Sequence, residues 1–201
     1  MARSPLLAPH LSLEYFFLEG YETMSASPEI RYRVDGPVGY LELDRPDKAN
    51  AYTTDMLEAM QVGIEHLDSR EEVRVVVVCS STQGRFCAGA DLHEIRNRGI
   101  QEALRLRAQA VFDALDSCTK PTIAAIDGPA IGGGLELTLA CDLRLASTDA
   151  RFALPETGLG ILPAAGALYR LPRVVGDAMA RKLILFGEEL TATLGLARPL
   201  L

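Results

Sequence analysis

The stretch Thr122-Ile123-Ala124-Ala125-Ile126-Asp127-Gly128-Pro129-Ala130-Ile131-Gly132-Gly133-Gly134-Leu135-Glu136 decides how this chain is read. An apolar strand runs into three glycines and then a helix start. Glycines at such a junction let another group approach the backbone closely. The free N–H groups of a helix N-terminus point outward there, with the positive end of the helix dipole behind them. This arrangement suits an oxygen that becomes negative during a reaction. Glu136 lies three residues after Gly133, within one helical turn, so the segment offers a backbone donor and a proton carrier together.

A second stretch has the same character. Gly84-Arg85-Phe86-Cys87-Ala88-Gly89-Ala90-Asp91-Leu92 comes after the β-branched run Val73 to Cys79 and leads into a helix that Asp91 can cap. Two N–H donors converging from two such turns form an oxyanion hole.

Outward from these segments, strands and helices alternate, which gives an α/β class. Ile30–Val34 and Val38–Leu43 read as a strand pair around Asp35-Gly36-Pro37. A helix capped by Thr53 or Thr54 runs to about Leu67, and Val73–Cys79 reads as a parallel strand buried on both faces. Further helices are expected over Gln101–Leu115, to about Cys141 after the glycines, around Ala164–Tyr169 before Pro172, and over Asp177–Phe186. Short strands are expected at Leu143–Ala146 and Arg151–Ala153, with a loop over Leu154–Leu162.

The 201 residues suffice for one domain with a substantial core, and 48% hydrophobic with 23% charged residues is a soluble balance. A net charge of −7 argues against nucleic acid as partner. No apolar run reaches the roughly 18 residues that span a bilayer, so no membrane is expected. Leu11 to Glu19 is partly apolar, but glutamates interrupt it and it fits neither a signal nor a transit peptide. Residues 1–24 are read as a poorly ordered extension and 25–201 as the core domain. Cys79, Cys87, Cys118 and Cys141 form no C-x-x-C pair and have no histidine cluster beside them, so no metal site is expected. They read as reduced cysteines of a cytoplasmic protein. Gly158-Leu159-Gly160 lacks the third glycine and the helix of a dinucleotide fingerprint.

Taken together, the two glycine segments resemble the enoyl-CoA hydratase/isomerase (crotonase) family over about Ile30 to Thr193. The resemblance implies a spiral of ββα units, an acyl-CoA thioester substrate, no cofactor beyond the coenzyme A of that substrate, and a homo-oligomer that is a trimer or a pair of trimers. It puts the oxyanion donors at the backbone N–H groups of Ala90 and Gly133. It gives Glu136 the role of water-activating base and Glu156, in Leu154-Pro155-Glu156, that of proton donor to C2. Members that only shift a double bond generally keep the counterpart of Glu156 and lose that of Glu136, so both glutamates favour a hydratase making 3-hydroxyacyl-CoA from trans-2-enoyl-CoA. Coenzyme A contacts are implied at Lys48, Ala49 and Ala51, and at Ala88, Ala90, Asp91, Leu92, His93 and Gly133. Arg45 and Lys48 are each read either as phosphate contacts or as solvated surface charges.

Two departures from the family pattern stand out. Pro163-Ala164-Ala165-Gly166 has Ala164 where hydratases often carry glycine beside the catalytic water. The family also continues for several dozen residues past the position of Leu201, so the reading is of a crotonase-like core shortened at its C-terminus. An isomerase, another acyl-CoA lyase, or a non-catalytic CoA-binding protein are the alternatives.

Overall fold

In the computed structural model, residues 24–196 and 200–201 are described; the expectation for the segment before Met24 falls outside them. The expected hairpin forms between β2 (Ile30–Asp35) and β3 (Val38–Leu43). The strand β1 (Met24–Ser27), which the polar sequence Met-Ser-Ala-Ser does not advertise, pairs antiparallel with β2. Met24 and the three residues after it therefore belong to the sheet.

Helix α1 (Thr54–Ser69) begins as read: the Thr53 hydroxyl accepts from the Met56 N–H, a cap that satisfies one orphan donor. Met56, Leu57, Met60, Ile64 and Leu67 recur at helical spacing and are all buried. The helix crosses to β4 (Val75–Ser80), parallel to β3. The strands β5 (Thr122–Ile126) and, later, β7 (Leu143–Ala146) extend this sheet in parallel, giving the order β1-β2-β3-β4-β5-β7. The expectation that the valine run is buried on both faces is met on one face only. Leu41, Val78 and Ala124 share a face and are completely buried, whereas Tyr40, Val77 and Ile123 on the other are half-buried. That second face ends in exposed Leu143 and Leu145 on the edge strand.

A second, smaller sheet forms from the segments that leave the C-terminal ends of these strands. After β5, the chain forms β6 (Pro129–Ile131) and then α5 (Gly133–Leu139). After β7 it forms β8 (Arg151–Ala153), parallel to β6, and β9 (Leu190–Thr191) closes the far edge. Two bridges, Tyr52 with Ala90 and Cys87 with Ala130, continue the layer into the segments after β3 and β4. Each turn of the chain thus contributes one strand to each sheet and then a helix, a spiral of ββα units.

Two helix expectations shift. Asp91 caps α2 (Leu92–Asn97) as read. The single helix over Gln101–Leu115 is instead α3 (Ile100–Ala103) and α4 (Arg107–Asp116), separated at Leu106, whose φ is +47°. Its apolar register is buried only at Val111, Phe112 and Leu115, so no core packing holds the front half in line. Helix α6 (Ala167–Val175) runs through Pro172 rather than ending before it. The carbonyl this proline leaves unbonded is that of Leu168, a residue 50% exposed and so open to solvent. Helix α7 (Asp177–Phe186) is where the sequence puts it, and α8 (Ala192–Leu196) comes directly after β9.

Asn50 ties the first two turns of the spiral together. It is completely buried with φ +54°. Its Nδ2 donates to Ser80 Oγ and to the Phe86 carbonyl, both at 2.8 Å, and its Oδ1 accepts from the Arg45 N–H at 2.8 Å. Removing these three hydrogen bonds, one buried and two part-buried, strands their partners at roughly 1–3 kcal/mol each at most. Asn50→Ala is expected to lower unfolding free energy by about 3 kcal/mol, measured by urea denaturation; a loss under about 1 kcal/mol would show that the loop is held otherwise.

Candidate active site

The glycine triplet lets two backbones meet. A Cβ on Gly134 would collide with the Cys87 carbonyl, and one on Gly89 would lie 3.0 Å from the Gly133 nitrogen. The segment 86–90 therefore lies directly against the start of α5. Ladder bonds fix its orientation: Tyr52 N–H donates to the Gly89 carbonyl at 2.8 Å, and Asp91 N–H to the Tyr52 carbonyl at 2.9 Å. Successive N–H groups of an extended chain point to opposite edges, so the Ala90 N–H faces away from Tyr52's backbone, on the Gly133 side. Neither the Ala90 nor the Gly133 N–H donates to a backbone carbonyl among the described residues. Both border one cavity of about 470 Å³.

Two carboxylates enter that cavity. Glu136 projects from the first turn of α5 and is 3% exposed. Its Oε1 accepts from the N–H groups of Ala165 at 2.8 Å and Ala167 at 2.9 Å, so it also caps the N-terminus of α6. Burial raises its pKa above the usual carboxylate range, while the two N–H donors and nearby Arg170 oppose the rise. Glu156 opens a short 3-10 turn, Glu156–Leu159, within the expected loop. A Cβ on Gly132, whose φ is +55°, would lie 2.7 Å from Glu156 Oε1, so that glycine leaves the carboxyl its place. Glu156 Oε2 is buried with no hydrogen-bond partner among the described residues. Burial, and then the charge of Glu136, push its pKa up to about 7. The two environments differ: backbone donors on Glu136 oppose the effect of burial, whereas burial and the nearby Glu136 both favour the neutral form of Glu156.

The same cavity is walled by Ala88, Leu92, Ile95, Ala103, Leu106, Leu159, Ile161 and Leu162, an apolar lining apart from Arg98 and Arg107. Of the sequence-derived set, Ala88, Ala90, Leu92, Gly133, Glu136 and Glu156 converge on it, and Ala164 borders it too. Lys48, Ala49, Ala51, Asp91 and His93 lie outside its wall. The Asp91 carboxylate accepts from the His93 N–H at 2.8 Å and pairs with Arg45 at 2.8 Å. Arg45 also pairs with Glu29 and donates to the Ala51 carbonyl, so it braces the loop before Ala90 and is neither a free phosphate contact nor a solvated charge. Lys48 is exposed. Among the described residues no group of three or more His, Cys, Asp or Glu could hold a metal ion. The four cysteines are free thiols.

Tyr52 is the cavity residue that sequence reasoning missed. It sits in the turn between β3 and α1, where no motif marks it. Its ring packs edge-on against Phe112, with centroids 5.9 Å apart.

The spiral of ββα units is a crotonase-type fold, and comparison bears this fold out. The solved enoyl-CoA hydratase of Bacillus anthracis superposes with a TM-score of 0.82 at 33% identity, over 86% of this chain and 68% of that one. The enoyl-CoA hydratase/isomerase family matches residues 33–195, and the chain belongs to that family. Bacillus subtilis (strain 168) YngF is 43% identical over 157 residues, covering 76% of this chain and 59% of YngF. The short-chain-enoyl-CoA hydratase of Clostridium acetobutylicum is 38% identical over 160 residues, covering 79% of this chain and 61% of that protein. The chain thus spans about three-fifths of the length of these curated relatives.

A carboxyl whose folded pKa is raised binds its proton more tightly folded than unfolded. Its contribution to stability is complete below the unfolded value, near pH 4.3, and is lost as pH rises through about 7. Glu156→Gln should therefore gain stability relative to the parent chain as pH climbs from about 5 to about 8, read by thermal melts across that range. A constant difference would contradict a neutral Glu156.

Proposed function

We propose that this chain is an enoyl-CoA hydratase, adding water syn across trans-2-enoyl-CoA to give 3-hydroxyacyl-CoA. The observation that carries the reading is that Glu136 and Glu156 border the same cavity as the free N–H groups of Ala90 and Gly133. The family relationship supports a CoA thioester as substrate, and named hydratases among the relatives support the reaction class.

In this reading the thioester oxygen accepts from the Ala90 and Gly133 N–H groups. A water lies between the two carboxyls. Glu136, already anionic, takes its proton as the water oxygen bonds to C3. The C2–C3 π electrons move toward the thioester oxygen, whose developing charge the two donors stabilise. Glu156 then delivers its proton to C2, and the O–H and C–H bonds form on one face. Proton transfer from Glu136 to Glu156 resets the pair. The apolar wall from Leu92 to Leu106 holds the acyl chain. Coenzyme A lies along Ala88–His93 and the Lys48–Ala51 loop, where Lys48 meets a phosphate. No further cofactor is needed.

A homo-oligomer, a trimer or pair of trimers, belongs to the same proposal. Exposed Leu143 and Leu145 on the edge strand, together with Phe186, supply apolar surface for it. Light scattering on the purified chain measures its size, and a monodisperse monomer contradicts it. A cytoplasmic location is proposed alongside, supported by the four free thiols.

Each carboxylate is expected to contribute about 10²- to 10⁴-fold to kcat. Glu136→Gln and Glu156→Gln assayed on crotonyl-CoA test this, and two variants with unchanged turnover would refute the mechanism. With Glu156 acting as acid, kcat/KM should fall as pH rises above about 7.

A further inference from the structure

We propose that the Tyr52 hydroxyl is a third donor to the thioester oxygen, completing the oxyanion hole with the N–H groups of Ala90 and Gly133. This rests on the hydratase reading. Gly133 fixes the placement: a Cβ there would fall onto the Tyr52 hydroxyl, with the ring carbon bearing it at 2.7 Å. At a helical φ of about −60°, the N–H bond of a residue and the direction of its Cβ lie nearly eclipsed. A group standing in the Cβ direction of Gly133 and an acceptor on the Gly133 N–H are therefore side by side. The phenol thus reaches the place where the thioester oxygen sits.

The hydroxyl is otherwise unexplained. Tyr52 is 5% exposed and lines the cavity, yet no hydrogen bond holds its hydroxyl among the described residues. Burial, reinforced by the negative charge of Glu136, keeps the phenol pKa well above its ordinary value, so it stays a donor at every working pH. The edge-on packing against Phe112 and the backbone bonds to Gly89 and Asp91 hold the ring before substrate arrives. Such a donor stabilises the enolate more than the ground-state carbonyl, because it meets charge that develops only as C2–C3 electrons move.

The test uses the full chain, its Tyr52→Phe variant, and two probes. Crotonyl-CoA gives turnover, and acetoacetyl-CoA gives the spectrum of the bound enolate. Phenylalanine keeps the ring on Phe112 and removes only the hydroxyl. The expected result is a kcat lowered about 10- to 100-fold, with KM changed little. The bound acetoacetyl-CoA should also show a smaller enolate fraction in the variant at the same pH. Parent-like kcat and parent-like enolate spectra in Tyr52→Phe would overturn the proposal and leave the hydratase reading standing. Absence of both turnover and enolate signal in the parent chain would overturn that reading, and this inference with it.

Discussion

The contact between the backbones of residues 86–90 and 131–134 admits no side chain, and the cavity depends on it. Gly134 abuts the Cys87 carbonyl and Gly89 abuts the Gly133 nitrogen. Two N–H donors from separate turns of the spiral can face one point only if these segments touch. The rest of the fold holds that contact in place. Asn50 and Arg45 anchor the loop that runs beside Ala90, and α5, buried along its length, fixes Gly133.

The carboxylates show how one fold gives two like groups unlike surroundings. For Glu136, the Ala165 and Ala167 N–H groups partly offset the cost of desolvation. Among the described residues Glu156 has no such partner on Oε2, and its pKa is the one pushed up to about 7. The asymmetry comes from where α6 begins. Its first turn points at Glu136, so the same bonds that cap a helix oppose the rise that burial gives this carboxyl. Ala164 borders the same cavity three residues before α6 begins.

Much of this is legible in the chain itself. The glycine triplet, Glu136 and the helix start after Ile131 carry their meaning locally, because a close approach and a free helix end are properties of a few consecutive residues. Glu156 needs more: only the resemblance connects it to Glu136 across 20 positions. Elements whose form depends on distant partners were not legible. β1 exists because β2 offers an edge to a polar tetrapeptide. α6 passes through Pro172 because Leu168 faces solvent. Tyr52 stands beside Gly133 only once the spiral brings the first and third turns together, and no spacing in the sequence encodes that meeting.

Incubating the chain with crotonyl-CoA in water enriched in oxygen-18, with mass analysis of the product, tests the central claim most directly. The account predicts a product heavier than its substrate by one labelled water, with the heavy oxygen at C3. A product of unchanged mass with its double bond moved, or substrate left intact, would contradict it.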